Sequence, residues 1–521
     1  MEARNGKTLP LTVPAVGLAV FLRSEKMNKT ITSEIVAAYS QCSRKAFQLM
    51  CTDEKGTSNE YIQVLEEETK KNRESYLKKI KDKLPKEAYN LPNGLNHGIP
   101  IIFEASLKTE EYQASATVLT AIEKTSSKRK PNYSPTLIIG THKINKQQKL
   151  QLAFTGYVLS KCQKEESAFG TLIANGGKPH KIKLETLYKD IKKILRVLAS
   201  WSVSPELESP PVILNKHCPY CPFQKQCEVM AKESDHLSLL GGIGQKEIEK
   251  YNKRGIFTVN QLSYMFRPRK IKKRKENYVK PHSFPLQAWA IRAQQIYVYE
   301  TPRMPKSKLE IFFDIEGIPD EEFQYLIGLL IKENDQVNHY FFWASNKDEE
   351  LIIFQDFLHL LDKYDDYTLF HYGTYETNYL KRMSKKLSAH EKDTTEKALR
   401  SCCNILSYLY SNIYFPTYTN GLKDIGRTIG FNWSDSNSSG LQSLVWRKRW
   451  ERTQHHKWKN KLILYNKEDC LAISKIKSLI DAIIGNDGSD NRTSLPLEIV
   501  YRADLKEKSR FSFMYKDYAG D

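Results

Sequence analysis

"KLEIFFDIEG", Lys308 to Gly317, is the stretch that decides how the second half of the chain folds. Its apolar run, Ile311 to Phe313, reads as a buried strand ending in Asp314 and Glu316. Side chains alternate along a strand, so residues two apart share a face, and these two carboxylates point the same way. Two acids on one face repel unless they hold cations. Phosphoryl-transfer sites use such pairs to clamp two divalent metals across an in-line attack.

Two later stretches supply what such a clamp needs. "YNKEDC", in a clear helical pattern, sets Tyr465 and Asp469 at i and i+4, adjacent on one helix face. "LFHYGTYETNYL" reads as a strand ending in His371 followed by a helix carrying Glu376. Asp469 can complete a cage for two Mg2+ or Mn2+ ions with Asp314 and Glu316, and Tyr465 can orient the attacking water. The order DxE, Glu376, YxxxD resembles the DEDDy class of exonucleases, which implies Glu376 as the fourth metal ligand.

The chain has 521 residues, 40% hydrophobic and 27% charged, which excludes a disordered chain and suggests several domains. Its net charge of +19 points to a polyanionic partner, most often nucleic acid. The longest apolar run, Leu11 to Leu22, contains Pro14 and is shorter than the roughly 20 residues that cross a membrane. It also lacks the basic start and small-residue cleavage site of a signal peptide. Residues 1–26 read as an extension, with Met27 as an alternative start.

Nine unevenly spaced cysteines do not make a disulfide scaffold; they argue for a metal site in a reducing compartment, the cytoplasm. "HCPYCPFQKQC" sets Cys218, Cys221 and Cys227 as C-x2-C-x5-C, with Cys42 as the best fourth ligand, placed just inside the first helix. Two readings stand: an iron–sulfur cluster on four thiolates, or zinc with His217 as the fourth ligand. Cys51, Cys162, Cys402, Cys403 and Cys470 show no ligand spacing and read as core.

Thr32 or Ser33 caps a helix in "NKTITSEIVAAYSQC", and residues 60–84 form a charged amphipathic helix. Residues 98–165 read as strands followed by a helix, "QKLQLAFTGYVLSK", with another helix over 182–202. From Asp235 to Phe266 comes a compact helical pair. It contains Gly242 and Gly244, then Gly255 followed by Thr258. Glycines at a tight helix–helix turn free backbone N–H groups to meet a phosphate, a role assigned to Gly242 and Gly244. The basic run that follows, Arg267, Arg269, Lys270, Lys272, Lys273, Arg274 and Lys275, reads as part of the same nucleic-acid track.

These motifs, in this order from residue 30 to about 482, resemble the TM0106 family of RecB-like nucleases. The matching set includes "ITSEIVAAYSQC", the three-cysteine loop, "RPRKIKKRK", "PLQAWAIRAQQIYV", "FFDIEG", "HYGTYETNYL", "TNGLKDIGRTIGFNW" and "YNKEDC". The resemblance implies an α/β chain with a PD-(D/E)xK restriction-endonuclease-like domain over 27–232, related to RecB and Cas4 and clamped by a [4Fe–4S] cluster. A helix–hairpin–helix and basic linker would fill 233–280. An RNase H-like 3′–5′ exonuclease domain of the DEDDy class would fill 281–521. Some members continue into a helicase, so any helicase is expected to be a separate partner.

The resemblance also carries departures. Thr117 stands where the family has its metal-binding Asp, and Thr141, in "SPTLIIGTHKI", where it has the second acid. Lys143 and Gln151 are kept, while Thr155 replaces a usual Tyr, and Glu104 and Glu123 are the nearby acids that would have to substitute. The expectation is a degenerate first site that binds DNA without cutting it. In the second domain Asn404, in "CNILSY", replaces an Asp that is not one of the four metal acids. The competing expectations are a non-catalytic nucleic-acid-binding subunit of a repair, defence or mobile-element complex, and an exoribonuclease.

Overall fold

The computed structural model describes residues 30–84, 99–122, 131–203, 209–266, 281–333, 336–485 and 497–502. The N-terminal extension, Glu123 and the basic run 267–275 lie outside these residues. Among the described residues no helix is long and apolar enough to cross a membrane.

Strand β1 (Ile31–Thr32) runs into α1 (Ser33–Gln41), whose N-cap is Thr32: its hydroxyl accepts from the Ile35 amide at 3.3 Å. Cys42 is not inside this helix as the sequence suggests. It is extended, at φ −161°, and separates α1 from α2 (Ser43–Cys51). A long helix, α3 (Glu60–Lys81), follows, capped by Asn59.

Strands β2 (Ile101–Lys108), β3 (Tyr112–Ile122) and β4 (Asn132–Ile138) form an antiparallel meander. Helix α4 (Lys146–Gln163), started by an Asn145–Gln148 capping box, crosses over to β5 (Phe169–Ile173), parallel to β4. Strand β6 (Pro179–Lys183) closes the sheet and α5 (Glu185–Val203) packs beside α4. The sheet order is β1-β3-β4-β5-β6, with β2 also on β3. Leu119, Leu152, Ala153, Phe154 and Leu172 are wholly enclosed between this sheet and its helices.

Three short helices follow: α6 (Gln224–Glu233), α7 (Gln245–Asn252) and α8 (Val259–Ser263). Gly242, at φ +83°, and Gly244 do not join two α-helices as the sequence predicts. They lie between a single 3-10 turn, Leu237–Leu239, and α7, and the helix-to-helix turn is the one containing Gly255, at φ +77°. The apolar cluster of Leu237, Leu240, Ile248, Val259 and Leu262 closes over Ala288 of α9 (Phe284–Ala293).

The last part begins with β7 (Ile296–Val298), then β8 (Glu310–Ile318), β9 (Phe323–Glu333) and β10 (Gln336–Trp343), the last three antiparallel. Helix α10 (Glu350–Leu361) leads to β11 (Thr368–His371), parallel to β8, and then to α11 (Tyr375–Ser384) and α12 (Ala389–Ser401). Strand β12 (Cys402–Asn404), parallel to β11, completes the order β10-β9-β8-β11-β12. Then come α13 (Ile405–Leu409), β13 (Ile413–Tyr414), α14 (Leu422–Thr428), α15 (Gly440–Thr453) and α16 (His456–Gly485). Strand β14 (Ile499–Tyr501) joins β13 and β7 in a small sheet.

Strands β8, β9 and β11 are buried on both faces, which is why they read as near-continuous apolar runs, while the edge strand β10 is largely exposed. One face packs Ile311, Phe313, Ile327 and Leu329 on Phe354 and Phe357 of α10 and Leu380 of α11. The other packs Phe312, Leu330 and Phe370 on Ile473, Ile476 and Ile480 of α16. Each fully buried Phe contributes about 2–3 kcal/mol.

Arg447 of α15 is fully buried, its guanidinium facing the rings of Phe323, Tyr325, Trp343 and Trp450. It donates to the Ala344 and Ser345 carbonyls at 2.9 and 2.7 Å and pairs with Glu451. This locks α15 against β9 and the end of β10. On its outer side α15 meets α3, where Arg449 pairs with Glu60 at 3.2 Å and Arg452 with Glu68 at 3.1 Å.

Candidate active site

The acids of β8 face the α16 side of the sheet. Ile311, Phe313 and Ile315 fill one apolar layer, so Phe312, Asp314 and Glu316 point to the other. The strand does not stop at Glu316, as the sequence suggests. It bulges between Glu316 and Gly317 and runs on to Ile318. On α16 Tyr465 and Asp469 share a face one turn apart, as the sequence predicts, and the Tyr465 hydroxyl donates to Asp469. Ligand oxygens of Asp314, Glu316 and Asp469 all lie within 4.8 Å of one another.

Each carboxylate is held by a donor from elsewhere in the chain. Asn466 Nδ2 donates to Asp314 Oδ2 at 2.8 Å and to the Asp314 carbonyl at 2.9 Å. Ser443 Oγ donates to Glu316 Oε2 at 2.8 Å, and Trp433 Nε1 to Asp469 Oδ1 at 2.6 Å. Glu376 starts α11 where the sequence puts it and is buried. Its Oε2 lies 3.4 Å from His371 Nδ1 and makes no hydrogen bond.

Electrostatics mark the same spot. Burial first, and then the charges of Asp469, Glu316 and Glu376, hold the Asp314 carboxyl well above the usual range. Burial and Asp469 push Glu316 up to about 8, against the pull of Ser443 and Lys423. Burial pushes Asp469 up to about 6, while Lys423, Trp433 and Tyr465 pull it down. Burial and the neighbouring acids raise the Tyr465 hydroxyl far above its ordinary value, so it stays protonated.

Sequence reasoning missed Asn466, Ser443, Trp433 and Lys423 as members of this site. Lys423 Nζ lies 4.3 Å from the Tyr465 ring centre and bonds the Ser438 carbonyl and hydroxyl at 2.5 and 2.9 Å. Burial pushes its ammonium down, and Asp469, Glu316 and Asp314 push it back up. Asn404 pairs in register with His371, and its Oδ1 accepts from the Gly373 and Leu406 amides at 3.0 and 3.1 Å, capping α13.

The other predicted residues fall in the first half. Cys42, Cys218, Cys221 and Cys227 line one recess, together with His217, Arg44 and Gln48. Burial pushes the thiols of Cys218, Cys221 and Cys227 up, with a contribution from Cys42 in each case. Lys45 lowers Cys221 and Arg44 lowers Cys227. Of the cysteines expected in the core, Cys403 and Cys470 are buried, but Cys162 is exposed on α4.

Thr117 is buried in β3, and Thr141 and Lys143 lie in the turn after β4. Gln151 lies on α4, its carbonyl accepting from Thr155 Oγ1 at 3.0 Å. Glu104 pairs with Arg73 at 2.8 Å and is exposed. Gly242 and Gly244 border an open cleft of about 1000 Å³ that the Cys42 and Cys218 segments and Thr419 also line.

A Cβ at Gly328 would sit 1.6 Å from Asn466 Oδ1, so only glycine lets Asn466 reach Asp314. Gly328→Ala is expected to weaken Mn2+ binding by about 10–100-fold in calorimetric titration, the usual cost of losing an outer-shell partner. Unchanged affinity would remove Asn466 from the site. The raised carboxyls also fix a pH dependence. A carboxyl raised on folding stabilises the protein below its unfolded value, and that stability is lost as pH rises through the folded value. With Glu316 near 8 and Asp469 near 6, the metal-free melting temperature should fall from about pH 5 to about pH 8. Added Mn2+ should restore more at the higher pH; a metal effect larger at pH 5 would contradict this.

No curated protein is detectably similar to the chain. Residues 311–480, about a third of the chain, match the family model of the RNase H superfamily. That span runs from β8 to α16 and contains every acid of the site, so this part of the chain is an RNase H-like domain, a fold generally built for metal-dependent nucleic-acid hydrolysis.

Proposed function

We propose that this chain is a divalent-metal-dependent exonuclease removing nucleotides from the 3′ ends of DNA. Its RNase H-like domain would cut, and its first domain would bind nucleic acid without cutting. The observation that carries this reading is the trio Asp314, Glu316 and Asp469, mutually within 4.8 Å, with Glu376 and Tyr465 beside it. The donor set is all oxygen, as a hard divalent cation demands, and Glu376 Oε2 has no hydrogen bond to give up.

Asp314, Glu316, Glu376 and Asp469 would hold two Mg2+ or Mn2+ ions, which supply an activated water and charge neutralisation at the departing 3′ oxygen. The chain's own groups do the rest. Asn466, Ser443 and Trp433 fix the carboxylates in place before substrate arrives. Tyr465 keeps its proton and its hydroxyl donates a hydrogen bond to Asp469, which leaves its oxygen to accept from a water and aim it. Lys423 brings a positive charge to the rim, where a phosphate would approach.

For the first domain, three features support the reading. The order of meander, crossover helix and parallel strand is that of a restriction-endonuclease-like core. Thr117 and Thr141 leave that core without its acids. Four thiols line one recess, where the buried Arg44 Nε and Gln48 Oε1 lack partners. That set of thiols would hold a [4Fe–4S] cluster through Cys42, Cys218, Cys221 and Cys227, which would tie the two ends of the domain together. The cleft by Gly242 and Gly244 would carry the strand, together with the basic residues of the stretch 267–275.

Protein purified without oxygen and incubated with Mn2+ and labelled single-stranded and duplex DNA and RNA should shorten at least one DNA substrate from its 3′ end. Asp314→Asn should lower that rate by at least about 10³-fold. No difference on any substrate would leave a binding subunit instead, and cleavage of RNA alone would make it an exoribonuclease. The same preparation should show an absorbance shoulder near about 400 nm that Cys221→Ser abolishes. Stoichiometric zinc without the shoulder would replace the cluster.

A further inference from the structure

The turn after β4, Thr141 to Lys143, faces the hairpin turn Pro319 to Glu322 between β8 and β9. The amides of His142 and Lys143 both donate to the Asp320 carboxylate, to Oδ2 at 2.6 Å and to Oδ1 at 3.0 Å. Lys143 Nζ adds a bond to the Pro319 carbonyl at 3.3 Å and an ion pair with Glu322 at 2.7 Å. Consecutive N–H groups on one carboxylate make a backbone anion nest, and bonds to a charged acceptor are the stronger kind. The ion pair matters less: the Lys143 and Glu322 side chains are 58% and 59% exposed.

The nest is braced from behind. Thr141 Oγ1 accepts from Gln148 Nε2 and donates to the Lys143 carbonyl, both at 2.9 Å. Asn72 Nδ2 of α3 holds the Ile139 carbonyl at 2.6 Å. Gly140 lies so close to α3 that a Cβ there would sit 2.5 Å from Thr69 Oγ1.

The docked turn follows directly on Glu316. Its Glu321 pairs at 2.8 Å with Lys448 of α15, the helix that carries Ser443, the donor to Glu316. Helix α15 itself rests on α3 through Arg449 and Arg452. Both elements that hold Glu316 are therefore seated on the first domain.

We propose that Thr141–Lys143 is a carboxylate-binding dock whose ligand is Asp320, and that through it and α3 the first domain positions Glu316. The dock stands without the nuclease reading; its consequence for Glu316 rests on that reading. The dock also gives Thr141 a physical role. An aspartate there would bring a second carboxylate into the turn that binds Asp320, and like charges sharing a site disfavour each other.

Hydrogen exchange on the full chain, read by mass spectrometry over residues 140–145, tests the dock. Asp320→Ala should speed exchange of the His142 and Lys143 amides at least tenfold while the amides of β9 and α16 stay protected. Thr141→Asp should do the same, and adding Asp320→Asn to it should slow exchange again. Unchanged exchange in Asp320→Ala overturns the dock. If Asp320→Ala exposes the whole domain, Asp320→Leu, of similar size but with no acceptor, gives the reading instead, with the same criterion. Mn2+ titration of Asp320→Ala should show affinity weakened at least threefold; full affinity with fast amide exchange would overturn the positioning of Glu316 and leave a tether. Exchange is read whether or not the protein cuts, so the dock and the nuclease reading fail separately.

Discussion

The constraint on which the rest depends is the enclosure of like charges around β8. Two ionised carboxylates at 4.8 Å, the outer limit for the trio, repel by about 3.5 kcal/mol at an effective dielectric near 20. A hydrogen bond to a charged group returns about 1.5–3 kcal/mol. Four donors, two of them on Asp469, return about what three such repulsions cost, which leaves the burial of the charges without an offset. The protein can keep protons on the acids or take up cations, and the raised carboxyls of Asp314 and Glu316 are the first of these solutions. A site that is costly to ionise without metal is, by linkage, one in which metal uptake expels protons and stabilises the fold.

The surrounding architecture follows from holding those acids still. Asn466 can reach Asp314 because Gly328, its cross-strand neighbour, has no side chain. Trp433 can reach Asp469 because Gly426 leaves room for its ring, where a Cβ would come within 2.7 Å. Ser443 can reach Glu316 because Arg447, one turn on, clamps α15 against the sheet with a buried guanidinium. In each case the group touching the acid is polar, and what fixes its distance is a missing side chain or a buried cation elsewhere.

This division explains what could be read from the sequence. The pairs Asp314–Glu316 and Tyr465–Asp469 lie two and four residues apart, so strand and helix periodicity alone put them together. Glu376 was legible for the same reason, as the first turn of a helix after an apolar strand. The donors were not: Asn466, Ser443 and Trp433 lie 152, 127 and 36 residues from the acids they hold. No local period links them. Cys42 was misplaced because neither glycine nor proline marks the break between α1 and α2. Gly242 and Gly244 were read as a helix–helix turn because glycine reports the need for an unusual backbone, not which elements meet there. The strand was ended early at Glu316 because a bulge, which keeps pairing through Gly317, leaves no mark in hydropathy.

The turn at Thr141 shows the opposite case, a residue whose meaning changes with its neighbour. Taken with Lys143 alone, a threonine two residues ahead of a strand-end lysine is a missing acid. Facing Asp320, it is a neutral group at a place where the backbone already binds a carboxylate. The two arrangements are physically exclusive. A turn that offers its amides to an acid from another domain cannot also carry an acid of its own without one of them taking a proton. A neutral residue at 141 and the contact to Asp320 are then two sides of one electrostatic constraint at this turn.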